Sequence, residues 1–358
     1  MTITLRWGVL GAGNISSQFA GDLVLNNTTP NHEINHVIES IGCSSKDKGE
    51  AFVAKLEISK NNNCGVEPVI EPYDNFFKNS NIDIVYVGTI HPLHKEHVTA
   101  ALENDKHVLC EKPMTMNSKD TKQLIDLAIK KKKYLIEGVW TRFFPAIGAL
   151  RKYIFEEKVI GEVSRLFADF SYNAHFENMP LSTRSRNINL GAGSLLDIGI
   201  YSVTYARLLL DSKAAPHQTN FKLKSLMTID PEDGVDHSSS VLIRYDNGKQ
   251  GILTCSEYVQ GPQPFLRLEG AKGHVEMHGA NPARAVKFRI IFDDGSKSID
   301  YEDSSDFTGF IYEADAIARD IDSGKLQSSI MPHAETLLVA DMLDSIRQEN
   351  GLVYPQDN

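Results

Sequence analysis

Two stretches of the sequence combine residue types that could support chemistry on a bound ligand. The first is Gly11-Ala12-Gly13-Asn14-Ile15-Ser16, which directly follows an apolar run. Its glycines permit a tight turn and allow backbone N–H groups to approach a pyrophosphate at the N-terminus of a helix. A glycine pattern alone is a weak signal, and Ser16 stands where the dinucleotide fingerprint has Gly or Ala. The position between a first strand and a first helix favours cofactor binding over a purely structural turn.

The second stretch is Glu111-Lys112-Pro113, which follows an apolar run ending at Cys110. A lysine at the carboxyl end of a parallel strand faces the ligand crevice of such a sheet. Its ammonium could hold a substrate hydroxyl or carbonyl for hydride transfer, and Glu111 could fix the lysine or the nicotinamide ribose. Taken without context, such a triplet is usually a surface turn, so both interpretations stand.

The residues after the second apolar run bear on the choice of cofactor. Ile34 to Cys43 is followed by Ser44, Ser45, Lys46 and Asp47. An NAD enzyme usually has an acidic residue at this strand end, where it binds the ribose hydroxyls. No carboxylate stands at the strand end itself, whereas the serines, Lys46 and a helix N-terminus suit a phosphate. The pattern favours NADP, and Asp47 keeps NAD open. Alternatively, one serine caps the helix and Asp47 completes a capping box on Ser44.

The first part of the chain alternates apolar runs with helical patterns. Five runs rich in Val and Ile read as strands buried on both faces: Leu5 to Leu10, Ile34 to Cys43, Ile82 to Gly88, His107 to Cys110 and Tyr134 to Glu137. Strands that alternate with helices imply a parallel sheet with right-handed crossovers. We predict an α/β fold with an N-terminal Rossmann domain over residues 1–138.

After residue 138 the pattern changes to strands separated by turn signals such as Asp246-Asn247-Gly248 and Asp293-Asp294-Gly295. These pairs supply the positive φ that hairpin turns require. We predict an α+β domain over residues 139–358, with a large, mostly antiparallel open sheet that binds substrate. One face of that sheet needs a cover besides the domain's own helices, so we expect a homodimer formed through it.

Composition excludes several classes of protein. The formal net charge is −10, and the one basic run, Lys130 to Lys133, fits a solvated helix end, so nucleic acid is not an expected partner. No apolar run approaches the ~18 residues that span a bilayer, and no membrane partner is expected. Four cysteines without paired spacing indicate neither disulfides nor zinc, which favours a cytoplasmic location. His91, His94 and His97 recur every third residue, but no ligand set is completed, so no metal is expected.

Five short motifs recur along most of the chain: Gly11 to Ile15, Thr89 with His91 to His97, Glu111 to Pro113, Glu137 to Pro145, and Gly191 to Tyr201. In order and spacing they resemble the glucose-fructose oxidoreductase/inositol dehydrogenase (Gfo/Idh/MocA) superfamily. The last two are similar to the branch of dimeric dihydrodiol dehydrogenases and NADP-dependent D-xylose dehydrogenases. Each motif is short, but together they are very specific.

The resemblance implies roles for residues at matching positions. Lys112 is implied as the catalytic lysine and Tyr201 as the acid/base tyrosine. Asp197 precedes Tyr201 by one helical turn and is implied to shape the same site. A lysine near a tyrosine lowers the pKa of the phenol, which suits proton exchange with a substrate hydroxyl.

Further residues are implied at the cofactor and the substrate. The dinucleotide side comprises Gly11, Ala12, Gly13, Asn14, Ile15, Ser44, Ser45, Lys46, Thr89, His94, Glu111 and Lys112. Trp140 and Arg142 are implied near the nicotinamide end, and Arg184 and Phe144 are candidate substrate contacts. The pair Phe143-Phe144 also reads as core packing. Ser44 replaces an arginine that many NADP-using relatives carry, and the loop from His175 to Asn189 departs from the family pattern.

The residues and the resemblance together predict an NADP-dependent oxidoreductase that transfers hydride between nicotinamide and a sugar or cyclic alcohol. D-xylose 1-dehydrogenase and trans-dihydrodiol dehydrogenase are the models for that activity. The alternative is a non-catalytic transcriptional regulator that senses the dinucleotide on the same fold. Because Lys112, Asp197 and Tyr201 are all retained, we favour the enzyme.

Overall fold

The computed structural model describes residues 2–30, 32–215 and 220–357, and the chain divides into two compact units. The first unit comprises Met1–Thr115, Lys119–Trp140 and Asp306–His333. The second unit comprises Met116–Ser118, Thr141–Ser305 and Ala334–Asn358. This division differs from the predicted single cut after residue 138, because residues 306–333 return to the first unit. No helix among the described residues is long and apolar enough to cross a membrane.

The first unit contains a parallel sheet of six strands in the order β3-β2-β1-β4-β5-β6. The strands are β1 (Ile3–Leu10), β2 (Ile34–Gly42), β3 (Val69–Glu71), β4 (Ile84–Val87), β5 (His107–Glu111) and β6 (Leu135–Gly138). Every neighbouring pair is parallel, which confirms the Rossmann prediction. All five predicted runs are strands. The prediction missed β3, an edge strand of three residues with Val69 half exposed, because so short a segment carries no periodic signal.

Seven helices accompany this sheet: α1 (Asn14–Thr28), α2 (Lys46–Lys55), α3 (Ile58–Asn61), α4 (Tyr73–Phe76), α5 (His94–Glu103), α6 (Ser118–Lys131) and, from the returning segment, α9 (Phe310–Asp322). The last of these packs on α1 and β1. Phe310 contacts Phe19 edge to face and stacks on Trp140, with ring centroids 4.3 Å apart in the latter pair. The apolar face of α9 thus packs the returning segment, residues 306–333, against the rest of the first unit.

Asp22, a buried residue of α1, caps the N-terminus of α9. Its carboxylate accepts hydrogen bonds from the backbone N–H groups of Thr308, Gly309 and Ile311 and from the Thr308 hydroxyl, at 2.6 to 3.2 Å. A carboxylate is favoured there because the first N–H groups of a helix have no partner within it.

The second unit is built on a sheet of eight strands in the order β14-β13-β12-β11-β7-β10-β9-β8. The strands are β7 (Val163–Ser171), β8 (Phe221–Ile229), β9 (Asp236–Tyr245), β10 (Gln250–Ser256), β11 (Leu266–Gly270), β12 (Gly273–Met277), β13 (Lys287–Phe292) and β14 (Ile299–Glu302). Among the described strands of this sheet, only the neighbours β7 and β10 are parallel. The prediction of a large, mostly antiparallel sheet is confirmed. Gly248 and Gly295 adopt φ of 88° and 74° in two of the predicted turns.

Among the described residues, the second unit has three α-helices besides short 3₁₀ helices. They are α7 (Pro145–Arg151) with a π-helical continuation (Lys152–Glu156), α8 (Ile200–Leu209) with a π-helical turn before it (Leu195–Gly199), and α10 (His333–Asn350). The turn before α8 packs on β9 and β10. Such turns are rare and often occur at functional sites.

Candidate active site

The glycine loop between β1 and α1 leaves a helix N-terminus open to an anion. Gly11 has φ of 95°, and a Cβ there would lie 3.0 Å from the carbonyl oxygen of Gly88. Gly13 is the N-cap of α1; no described side chain caps the helix, and its first turn holds no acidic residue. A Cβ on Gly13 would meet nothing within 4 Å. The backbone N–H groups of this turn therefore fit the pyrophosphate of a dinucleotide.

The departure at Ser16 is matched by a glycine on the facing strand end. Ser16 is fully buried, and a Cβ on Gly88 would overlap its hydroxyl oxygen. The extra volume of Ser16 is thus accommodated by Gly88, and the loop keeps the geometry that the fingerprint requires.

At the end of β2, Ser45 is the N-cap of α2 and accepts a hydrogen bond from the Lys48 N–H at 3.4 Å. The helix cap weighed above therefore belongs to Ser45 and not to Ser44. The Lys48 ammonium lies 3.4 Å from the Ser44 hydroxyl, and Lys46 pairs with Glu50 at 3.5 Å. Lys48 is a second cation at this helix start, and the sequence prediction missed it. Its position four residues after Ser44, which is one helical turn, is the signal that could have identified it.

Glu111 and His94 hold the turn that presents Lys112. Tyr86 donates a hydrogen bond to Glu111 Oε1 at 2.8 Å, and the Lys112 N–H donates to Glu111 Oε2 at 3.3 Å. His94 is fully buried, with its ring nitrogens 2.8 Å from the Pro113 carbonyl oxygen and 3.0 Å from that of Thr89. The predicted residues Thr89, His94, Glu111 and Lys112 thus lie together at the carboxyl ends of β4 and β5. Lys112 is partly exposed.

Trp140 and Phe144 are both buried. Trp140 stacks on Phe310 and is 4% exposed, while Phe144 is 2% exposed. Packing accounts for both rings, which favours the core interpretation of Phe144.

Arg142 enters a buried ion network of the second unit. Its guanidinium donates to Glu335 at 2.6 Å, and Arg207 donates to both oxygens of the same carboxylate and to Asp211. Burial alone would raise the pKa of Glu335, but Arg142 and Arg207 lower it to about 2. Removing one partner of such a network leaves an uncompensated buried charge. The network favours a structural role for Arg142 over the predicted cofactor contact.

Asp197 and Tyr201 lie where the π-helical turn meets α8, and the start of this turn is fixed by Asp236. The Asp236 carboxylate accepts from the Leu195 N–H at 2.7 Å and the Ser194 hydroxyl at 2.9 Å. Asp236 is fully buried, and burial raises its pKa to about 7. This cap was not predicted, because Asp236 lies about 40 residues from the helix that it fixes.

Arg184 and Asp197, each of which is predicted to contact the substrate, lie close to one another. The Arg184 guanidinium lies 3.7 Å from Asp197 Oδ1, with both side chains partly exposed. Tyr201 is 5% exposed, and its ring lies 5.6 Å from that of Phe170 on β7. The second unit thus presents an acid, an arginine and a phenol at one end of its sheet.

A partly buried chain of polar residues, which the sequence prediction missed, lies next to these residues. The Tyr172 hydroxyl donates to Glu257 at 3.1 Å, and His237 lies between Glu257 (3.4 Å) and Asp233 (3.0 Å). Burial acts to lower the pKa of His237, but its hydrogen bonds to the two carboxylates outweigh burial and raise it. Arg186 closes the chain by donating to Asp233 at 3.0 Å. No short motif joins Tyr172, His237 and Glu257, since the pairing of β7, β9 and β10 brings them together.

Two family models match the sequence. The oxidoreductase family with an NAD-binding Rossmann fold matches residues 5–139, and the GFO/IDH/MocA C-terminal domain matches residues 149–276. A trans-1,2-dihydrobenzene-1,2-diol dehydrogenase of Danio rerio is 30% identical, covering 99% of this chain and 100% of its own. The chain belongs to the Gfo/Idh/MocA oxidoreductase family. It is therefore an enzyme of the dehydrogenase class with an NAD(P)-binding Rossmann domain.

Other relatives agree with this assignment. A D-xylose 1-dehydrogenase (NADP(+)) of Hypocrea jecorina is 28% identical, covering 99% of this chain and 94% of its own. Among solved structures, a 3-ketoreductase from Actinomadura kijaniata in complex with NADP has a TM-score of 0.79 at 22% identity, covering 97% of this chain and 98% of its own. A levoglucosan dehydrogenase in complex with NADH and levoglucosan also scores 0.79 at 20% identity, covering 97% of each chain. The regulator alternative finds no support among these relatives.

Proposed function

We propose that this enzyme oxidises a secondary or anomeric hydroxyl of a sugar or cyclic diol, with NADP⁺ as the hydride acceptor. The observation that carries the proposal is the retention of Glu111-Lys112-Pro113 at the end of β5 together with Asp197 and Tyr201 on one helical segment. The names of the relatives, a dihydrodiol dehydrogenase and a D-xylose dehydrogenase, supply the substrate class.

In the proposed chemistry a bound nicotinamide would supply the hydride acceptor for the carbon that carries the hydroxyl. The phenolate form of Tyr201 accepts the hydroxyl proton, and the Lys112 ammonium stabilises the developing negative charge on the substrate oxygen. Asp197, paired with Arg184, orients the remaining hydroxyls. Tyr86 and His94 restrict the Glu111–Pro113 turn, which limits the positions open to Lys112.

The preference for NADP rests on the start of α2. Ser44, Ser45, Lys46 and Lys48 offer two hydroxyls and two ammonium groups at a helix N-terminus. A 2′-phosphate carries about two negative charges and gains from each of these groups. Asp47 in the first turn opposes this preference, so dual use of NAD is the second outcome of the test.

We also propose a homodimer through the exposed face of the eight-stranded sheet. Phe167, Ile252 and Leu242 stand opposite one another on β7, β10 and β9, and Leu242 is 58% exposed. Leu226 on β8 is 78% exposed. An apolar row of this kind on an open sheet is typically covered by a partner, and a second copy brings a matching row.

Four free cysteines support the proposed cytoplasmic location.

The test is the absorbance of reduced nicotinamide with NADP⁺ and NAD⁺ in parallel, against aldoses, polyols and trans-dihydrodiols. We expect turnover of at least one compound, with kcat/KM at least tenfold higher for NADP⁺. The double variant Lys46→Glu with Lys48→Glu should reverse that preference, and Lys122→Glu, at an exposed position on α6, is the matched charge control. Tight NADP binding without turnover of any compound would contradict the proposal.

A further inference from the structure

The end of β7 lies beside the helical segment that carries Asp197 and Tyr201. Ser171 pairs with Ser256 on β10. Cys255, the residue before Ser256, has its Sγ 3.7 Å from the Ser194 hydroxyl at the start of that segment. Phe170 contacts the ring of Tyr201. Tyr172 follows directly and continues the pairing, since its N–H donates to the Ser256 carbonyl at 2.9 Å. Strand pairing therefore places Tyr172 at the same end of the sheet as Asp197.

The Tyr172 hydroxyl has a fixed hydrogen-bond direction. Its proton is donated to Glu257 Oε1, and Glu257 is 2% exposed and held from its other oxygen by His237. Burial and the charges of Glu257 and Asp197 raise the pKa of Tyr172, while Arg184 lowers it, so both residues of the Arg184–Asp197 pair act on this hydroxyl. With its proton committed, the phenol oxygen keeps only acceptor capacity.

We infer that Tyr172 is a specificity-determining residue that accepts a hydrogen bond from a second substrate hydroxyl, adjacent to the one oxidised. The inference rests on the proposed function and narrows it to vicinal diols, including the neighbouring hydroxyls of a cyclic sugar. Arg184 and Asp197 pair with each other at 3.7 Å, and both act on the Tyr172 hydroxyl, so a substrate with two adjacent hydroxyls can hydrogen-bond both to this pair and to Tyr172. A substrate with one hydroxyl leaves the Tyr172 oxygen unsatisfied.

The chain offers a matched control in Tyr258. It lies one residue beyond Glu257, is 37% exposed, and donates its hydroxyl proton to Asp230 at 3.0 Å. Tyr172→Phe and Tyr258→Phe thus each remove one phenol oxygen and one carboxylate hydrogen bond while keeping the ring. Only the first removes the proposed acceptor.

The rate experiment compares trans-cyclohexane-1,2-diol with cyclohexanol, with NADP⁺, for the wild type and both variants. We expect Tyr172→Phe to lower kcat/KM for the diol by about 10- to 100-fold, and to change it for cyclohexanol by less than about threefold. The dissociation constant of NADP⁺ should not change. Tyr258→Phe should resemble the wild type. An equal loss on both substrates, or none on the diol, would overturn the inference.

A binding experiment separates this inference from the proposed function. Calorimetric titration of D-xylose into the Lys112→Met protein with NADP⁺ needs no turnover. Adding Tyr172→Phe should weaken binding about tenfold, which corresponds to about 1.4 kcal/mol, whereas adding Tyr258→Phe should not. If Tyr172→Phe weakens the binding of D-xylose but the wild type turns over no substrate, the role of Tyr172 holds and the dehydrogenase proposal is refuted. Equal binding with and without the Tyr172 hydroxyl, or no binding to the parent, would overturn the inference.

Discussion

A side chain at Gly13 would meet no atom within 4 Å, whereas one at Gly193 would overlap Asp236 Oδ1 and the Tyr354 hydroxyl. Gly193 also adopts φ of 136°. Contacts within the protein therefore exclude any side chain at Gly193, where the backbone passes against Asp236. No contact within the protein excludes a side chain at Gly13. This difference is expected if a ligand approaches the backbone at Gly13.

Gly13→Ala should therefore separate cofactor binding from folding. We expect the unfolding temperature of the free protein to stay within about 2 °C of wild type, and the dissociation constant of NADP⁺ to rise at least tenfold, because the methyl group occupies the approach of the pyrophosphate. Fluorescence titration measures the binding. Gly148→Ala, at a glycine inside α7 that also has open space around it, is the control. Wild-type affinity in Gly13→Ala would show that the loop does not hold the pyrophosphate.

The Asp236 carboxyl makes the free energy of unfolding fall as the pH rises, whereas most carboxylates make it rise. Its folded pKa of about 7 lies above the ordinary value of 3.8, so the folded state retains a proton that the unfolded state releases. Stability from this group is complete below about pH 4 and is lost as pH rises towards 7. Asp236→Asn keeps an acceptor for the Leu195 N–H but does not titrate.

Denaturant unfolding of wild type and Asp236→Asn across pH 4 to 7 measures this effect. The free energy of unfolding of the wild type should fall relative to the variant by about 1 kcal/mol per pH unit. Ser239→Ala, a buried hydroxyl on the same strand, is the control and should give a constant difference. Parallel curves for Asp236→Asn would contradict the raised pKa.

Functional residues that lie in short contiguous motifs could be predicted from the sequence. Residues that are distant in sequence and meet only through strand pairing could not. The glycine loop and Glu111-Lys112-Pro113 each need only a strand end and a few neighbours to be recognised. Tyr172 and Glu257 are 85 residues apart, and their contact depends on the parallel pairing of β7 with β10. That pairing is the one exception within a sheet whose other described neighbours are antiparallel, so sequence patterns gave no register for it.

At the level of elements, α9 shows how a distant segment joins the first unit. The residue pattern near Phe307 to Asp322 predicts a helix, which agrees with α9 at Phe310–Asp322, but the partner of this helix depends on contacts that lie outside its own pattern. Asp22 on α1 supplies four hydrogen bonds at the N-terminus of α9, where Gly309 provides no side-chain cap. Burial of these N–H groups makes each unsatisfied donor costly.

Asp22→Ala should therefore reduce the free energy of unfolding by about 3 kcal/mol. Hydrogen exchange should show the loss first in residues 306–322, because they lose their attachment to α1. Asp126→Ala, which removes an exposed pair with Lys122 on α6, is the control and should cost less than about 0.5 kcal/mol. Equal effects of the two substitutions would show that Asp22 is not the anchor of α9.

At the scale of the whole molecule, the exposed sheet face sets the expected assembly. Leu242→Arg places a charge in the middle of the apolar row formed with Ile252 and Phe167. We expect sedimentation analysis to give a dimer for the wild type and a monomer for this variant, since an unpaired charge buried in an interface costs several kcal/mol. Leu181→Arg, at an exposed leucine outside the sheet, should leave the dimer intact. A monomeric wild type would contradict the proposed interface.

In the proposed function, hydride transfer depends on both Lys112 and Tyr201. The direct measurement is NADP⁺ reduction by the wild type, Lys112→Met and Tyr201→Phe with the best substrate of the panel, alongside NADP⁺ binding by each protein. We predict that both substitutions lower kcat by about 100- to 10,000-fold, and that Tyr201→Phe leaves the dissociation constant of NADP⁺ within about threefold. Turnover that survives both substitutions would contradict the assignment of these residues as the catalytic groups.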